Sequence, residues 1–322
     1  MTSPALRHRC LLHVGGPQLI RFIIVLALFL AAFPSRSSAD AMPAYAATVS
    51  HAPVLNTRDF RSVFGGKDGR TLAADSQGQI RALEFIALPG TSFRVEEVID
   101  GSPAPVYRVT TDDYPYPSST GYFIDSRFVR TSTTPFPPRR KSLPDREKIL
   151  SRLASAVGTS YVWGGNRREG IREMLSFYPP RPGRPLDPLT ESRWTMRGLD
   201  CSGLLYEATD GFTPRNTSSL VEFGEAVPIE GKGIQGIAAS LRPLDLIVWK
   251  GHVIIVFDGK RVIESSLAHG RGKNGVAFRG LVETLRDITA TRTPLDSYPS
   301  AARDGKRGFV VRRWHPLQRQ GL

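Results

Sequence analysis

The chain has 322 residues, a formal net charge of +13 and 2 cysteines. That length allows about two domains at roughly 150 residues each. The basic balance suits an anionic partner: teichoic acids, wall carboxylates, lipid head groups or nucleic acid. With neither a zinc-binding cysteine pattern nor a Gly-Lys-Ser phosphate loop, nothing in the sequence supports nucleic acid, and no such partner is expected.

Residues 1–39 have the pattern of a secretory signal peptide. Arg7, Arg9 and Arg21 precede an apolar run from Phe22 to Phe33, and Ser37-Ser38-Ala39 offers a cleavage site. The rival, an uncleaved membrane anchor, would need about 20 apolar residues. A periplasmic or extracellular location without stable membrane insertion is therefore expected. Cleavage after Ala39 removes four of the 43 basic residues and none of the 30 acidic ones, leaving +9. It also removes Cys10, so Cys201 is the one cysteine of the mature chain. Such a residue is either a reactive thiol or a buried inert one.

Residues 40–78 give no assignable pattern. From 79 to 130, short β-type runs alternate with turns: Leu83 to Leu88, Ser92 to Ile99, Val106 to Thr110 and Tyr122 to Val129. Residues 131–144 are rich in Ser, Thr, Pro and basic side chains and read as a linker. A second domain is expected over 145–322. Ile149, Leu150, Leu153 and Val157 have helical spacing, started by Leu143-Pro144-Asp145. A second helix is predicted from Cys201 to Thr209, stopped by Asp210-Gly211. Strands follow at Leu244–Trp249, His252–Val256, Arg261–Ser265 and Gly308–Arg313. Helices first and an antiparallel sheet afterwards is an α+β order.

The chemistry centres on Asp200-Cys201-Ser202-Gly203. Asp200 stands where a helix N-cap belongs, which makes Cys201 the first helical residue. A thiolate there is favoured by the helix field and by free N–H groups, and the Cys201 N–H is placed to hold an oxyanion. The competing reading is a capped helix with a buried, inert cysteine. His252, at a strand start after the turn Lys250-Gly251, is the candidate base. His51, His269 and His315 have no comparable setting. A three-residue loop Phe257-Asp258-Gly259 would set His252 opposite Glu264, whereas a two-residue Asp258-Gly259 turn would put Ser265 there.

Tyr161-Val162-Trp163-Gly164-Gly165, Asp200-Cys201-Ser202-Gly203, Pro214-Arg215-Asn216-Thr217-Ser218-Ser219, Pro243-Leu244-Asp245-Leu246 and Gly251-His252-Val253 form an ordered set. Over about Asp145 to Trp314 it resembles the NlpC family of cell-wall cysteine peptidases. The resemblance implies a papain-like α+β domain that cleaves peptidoglycan stem peptides, typically between D-glutamate (through its γ-carboxyl) and a diamino acid. By position, Cys201 would be nucleophile, His252 base and Glu264 the third polar residue. Tyr161, Asp200 and Ser202 would contact substrate, with no metal or organic cofactor. The strands of 79–130 resemble a small bacterial SH3-like β-barrel, which implies wall-peptide binding or a spacer.

Three features depart from the family. Glu264 stands where His, Asn or Gln is usual, and Leu244 replaces a glycine before Asp245. The stretch 166–199 is longer than usual and carries the proline-rich run Tyr178 to Pro185, which excludes regular helix or strand. It is expected as a loop at the cleft rim or as a passive insertion. Two other activities fit the same residues: a catalytically inactive wall-binding protein, and a thiol amidase or acyltransferase.

Overall fold

The computed structural model describes residues 42–101, 103–183, 185–267, 274–298 and 307–316, so the leader expected over 1–39 lies outside the described residues. Nine strands precede the proline-rich segment: β1 (Tyr45–Thr48), β2 (Ala52–Leu55), β3 (Phe64–Gly65), β4 (Thr71–Leu72), β5 (Leu83–Ala87), β6 (Ser92–Ile99), β7 (Val106–Thr110), β8 (Tyr122–Asp125) and β9 (Val129–Ser132). Seven of them form one antiparallel sheet in the order β5-β2-β8-β7-β6-β1-β9, while β3 and β4 pair separately. The run expected from Tyr122 to Val129 breaks after Asp125. There the Asp125 carboxylate accepts from the Arg127 backbone N–H and caps a single 3-10 turn. The sheet runs from Tyr45 to Ser132, wider than the stretch 79–130, because β1 and β2 come from the segment that showed no pattern. All four β2 residues are buried, so the alternation that marks a half-buried strand is missing there.

Residues 135–145 have no regular structure, as their prolines dictate. The Arg146–Ser155 helix then starts on Asp145, whose carboxylate accepts from Lys148 N at 2.7 Å. Two short strands, β10 (Asn166–Arg167) and β11 (Gly198–Leu199), pair across the base of the long insert. The second large sheet contains β12 (Glu225–Ala226), β13 (Leu246–Trp249), β14 (His252–Val256), β15 (Arg261–Ser266), β16 (Gly275–Gly280), β17 (Arg292–Pro294) and β18 (Arg307–Arg313). Its main path is β12-β18-β13-β14-β15-β16, with β17 beside β18.

Strand periodicity divides this sheet's side chains between two helical layers. Leu246, Val248, Val253 and Ile255 pack with Ile149, Leu153, Leu204 and Leu205, from the Arg146–Ser155 and Cys201–Ala208 helices. Ile247, Ile254, Val256 and Val262 pack with Ile237, Leu285 and Ile288, from the Ile234–Ser240 and Leu281–Thr291 helices. The fold is broadly α+β, and both sheets lie in one compact unit beginning at Pro43. Among the described residues no helix is long and apolar enough to cross a membrane.

The insert 166–199 is neither a rim loop nor passive. Ile171, Met174, Tyr178, Trp194 and Met196 are buried in the core of the first sheet, with Phe60, Phe64 and Phe85. Tyr178 stacks on Phe60 at 5.7 Å and donates its hydroxyl proton to Asp125, and its carbonyl accepts from Trp194 Nε1 at 3.0 Å. A chain continuous with the second sheet thus completes the core of the first. The proline-rich run itself lies outside helix and strand, while short helices flank it at Met174–Phe177 and Pro188–Trp194.

The buried Asn166 side chain pairs with the β5 backbone as another strand would. Ile86 N donates to Oδ1 and Nδ2 donates to Ile86 O, both at 2.9 Å. Asn166→Ala strands two buried backbone groups, so it should lower unfolding free energy by about 2–4 kcal/mol. Urea denaturation checks this; a loss below about 1 kcal/mol would deny Asn166 a part in joining the sheets.

Candidate active site

The Cys201–Ala208 helix starts as its sequence dictates. Asp200 is the N-cap, and its Oδ1 accepts from Gly203 N at 2.6 Å and from Ser202 Oγ at 3.2 Å. Gly203 has no room for a side chain, since an added Cβ would stand 2.0 Å from Gly165 O. That carbonyl also accepts from Asp200 N at 2.8 Å. The helix start is therefore docked backbone-to-backbone on the Tyr161–Gly165 segment. On the other side Gly164, at φ +69°, would meet Leu83 O at 2.6 Å if it carried a Cβ. The glycine pair is thin because it lies between β5 and the cysteine helix.

Beneath Cys201 lies Arg215, only 4% exposed. Its Nη2 donates to Asp200 Oδ2 at 2.6 Å, and its Nη1 donates to Asp200 Oδ1 at 3.0 Å and Ser202 Oγ at 2.8 Å. Nε donates to Asn166 Oδ1 at 3.1 Å, and Nη2 reaches Gly165 O at 3.3 Å. Burial opposes the guanidinium charge, but Asp200 outweighs it and raises Arg215 above its ordinary value. Asp200 and Ser202, expected as substrate contacts, do border the cleft, yet their side-chain oxygens are committed to this network. Arg215 itself sat in a quoted motif, but nothing in its spacing revealed that Asp200 was its partner.

His252 is the first residue of β14, after Gly251 at φ +111°, whose N–H donates to Thr217 Oγ1 at 2.9 Å. Neither expected hairpin forms. Val256 faces Val262, Ile255 faces Ile263 and Phe257 N donates to Arg261 O at 2.9 Å, so the turn is centred on 258–260, one residue beyond the three-residue alternative. Asp258 Oδ1 stabilises it by accepting from Lys260 N and Arg261 N. The register nevertheless has the parity of the three-residue model, so Glu264 stays on the face of His252. His252 Nε2 and Glu264 Oε2 are 2.6 Å apart. Ser265 points to the other face and donates to Leu199 O at 2.6 Å.

Cys201 lies close enough to the imidazole to favour its charged form. Nε2 is taken by Glu264, so Nδ1 is the ring nitrogen without a hydrogen bond among the described residues. Burial disfavours the imidazolium, but the hydrogen-bonded Glu264 and the nearby Cys201 override it, raising His252 from 6.5 to about 10. Burial likewise opposes the Glu264 charge, and His252 and Arg279 together still pull that carboxyl below its ordinary value. By contrast His51, beside Arg167 Nη1 at 3.0 Å, is depressed to about 4 by burial and that cation.

Cys201, 7% exposed, lies on the wall of a cleft of about 390 Å³. Tyr161 and Trp163 border it, as do Asn216 and Lys250, while β5 contributes Glu84 and the β7–β8 connection contributes Tyr114 and Tyr116. Burial, then the charges of Asp200 and Cys201, push the Tyr161 phenol up. Trp163 remains 40% exposed, with the Arg81 guanidinium 4.3 Å over its ring. Glu84 Oε1 accepts from Asn56 Nδ2 at 2.8 Å, and Asn216 Nδ2 donates to Tyr114 OH at 3.2 Å. No local pattern could connect Glu84 or Tyr114 with Cys201, because tertiary packing alone brings them together. Among the described residues no cluster of three or more His, Cys, Asp or Glu side chains is arranged to hold a metal.

No protein-family model matches the chain, and no curated protein matches it significantly.

The elevated His252 has a measurable thermodynamic consequence. Its folded value exceeds its unfolded value, so its stabilisation is complete below about pH 6.5 and is lost as pH rises through about 10. Thermal melting across that window should show stability falling with pH, and His252→Ala should flatten the slope. Equal slopes in both proteins would remove His252 from the charge network.

Proposed function

We propose that this chain is an exported cysteine endopeptidase that hydrolyses peptidoglycan stem peptides between γ-linked D-glutamate and a diamino acid. The observation that carries the proposal is the 2.6 Å pairing of His252 with Glu264, with Cys201, on the wall of an open cleft, near enough to act on the same ring. The resemblance of residues 145–314 to the NlpC family supplies the substrate, a papain-like reading of the second sheet with its helices, and a place in the wall outside the cytoplasm. Under the same reading the first sheet is SH3-like. The contribution to the cleft of Glu84 from β5, and of Tyr114 and Tyr116 from the β7–β8 connection, favours a role in substrate binding over that of a spacer.

In the proposed reaction the Cys201 thiolate, paired with protonated His252, attacks the amide carbonyl. The Cys201 N–H, unpaired at the helix start, holds the oxyanion. His252 gives its proton to the leaving amine, and the acyl–sulfur bond remains. A water that loses its proton to His252 then attacks the thioester carbonyl, and the released sulfur closes the cycle. Glu264 fixes the ring and stabilises its cation. Stem peptides carry free amines and carboxylates, and the cleft offers Glu84 to the former and Lys250 to the latter.

Defined stem peptides digested by wild type should yield fragments split at the γ-D-glutamyl bond by mass. Cys201→Ala should lower that rate at least about 10³-fold. Release of intact stem from sugar, or acyl transfer, would assign an amidase or transferase instead; binding without products would mark a wall-binding protein. In the same assay Glu84→Gln should raise KM about tenfold with kcat within about twofold. An unchanged KM would remove Glu84 from substrate binding.

A further inference from the structure

His252 and Glu264 do not end the line of charges. Arg279, on β16, lies on the same sheet face, diagonal to Glu264: β15 and β16 pair Glu264 with Ala277 and Val262 with Arg279. Its Nη1 donates to Glu264 Oε1 at 3.2 Å while His252 holds Oε2 at 2.6 Å, so each carboxylate oxygen has a separate cationic partner. Arg279 is held in turn by the helix that covers this face, Nη2 donating to Asp287 Oδ2 at 2.5 Å. Glu264 is buried, at 5% exposure, and a buried carboxylate with one oxygen unheld has a second orientation open to it. An amide or imidazole in this position would orient the base without adding charge. Glutamate adds a full negative charge, and an uncompensated one would hold the imidazolium too firmly for a group that must give up its proton and regain it.

We infer that Arg279 is a positioning residue for the catalytic base, fixing Glu264 by its free oxygen and offsetting its charge, with Asp287 fixing Arg279. The inference rests on Cys201 being the nucleophile and His252 its partner. The charged or titratable groups around this pair are Asp200, Arg215 and Tyr161 on the side of the sulfur, and Glu264 from β15, Arg279 from β16 and Asp287 from the covering helix on the side of the ring. Beyond them lies Arg292 of β17, 4.2 Å over the Trp249 ring that adjoins His252 at 5.3 Å. Removing the Arg279 charge makes the site more negative, so every proton in it is lost at higher pH.

The test is the pH profile of Cys201 alkylation by iodoacetamide, in which a carbon–sulfur bond forms and iodide leaves; no natural substrate is needed. Arg279→Gln should move the profile to higher pH by about 0.5 unit or more. Arg279→Lys, which keeps the charge, should move it by less than half as much, and so should Arg279→Gln in a Glu264→Gln background. Melting curves establish that each variant is folded. No movement in a folded Arg279→Gln, or the same movement with and without Glu264, overturns the inference. Either failure leaves the peptidase proposal to the stem-peptide products, and absence of those products with the expected shifts would reject only the peptidase.

Discussion

The burial of a full positive charge at Arg215 is the constraint around which this molecule is arranged. A guanidinium taken out of water is tolerated only when its donors are met, and removing one partner of such a pair costs about 3–5 kcal/mol. Arg215 meets its needs with Asp200, Ser202, Gly165 and Asn166, which belong to two different segments. Asp200 is also the cap that sets where the cysteine helix begins, and Asn166 is also the side chain that pairs with β5 of the first sheet. One buried cation therefore fixes the position of the sulfur and ties the two sheets together behind it.

The second half of the site is set by strand register. Gly251 turns the chain at φ +111°, and its N–H is held by Thr217, so His252 enters the sheet at a defined place. From there the alternation of β15 and β16 delivers Glu264 and then Arg279 to one face. Nearby, Leu244 occupies a left-handed conformation at φ +73°, where glycine would be unstrained. Its side chain is fully buried, and that burial, about 1.5–3 kcal/mol for a leucine, offsets a backbone cost of about 1–2 kcal/mol.

Much of this was legible in the sequence wherever the signal is local. Asp200 announced a cap and delivered one, and the strands of 83–110 and the His252–Val256 strand lie where apolar periodicity put them. The pairing of His252 with Glu264 was anticipated from a loop that does not form. Side-chain direction depends only on whether the register is odd or even, so the shared face survived the misplaced turn. Leu281, Leu285 and Ile288 also carry a helical spacing, and they form the buried face of the Leu281–Thr291 helix. Other features have no local signature. Four buried residues in β2 hide its period, the proline-rich insert gave no hint that Trp194 and Tyr178 fill a distant core, and Glu84 reaches the cleft through tertiary packing alone.

The central claim is that the sulfur of Cys201 and the ring of His252 are electrostatically coupled. Imidazole resonances of His252, followed by NMR from pH 5 to 11 in the intact protein and in Cys201→Ala, test that coupling directly. The expected result is a midpoint near 10 in the intact protein, falling by about one unit or more toward 6.5 when the sulfur is removed. The same midpoint in both proteins would contradict it, because the ring would then be indifferent to the sulfur.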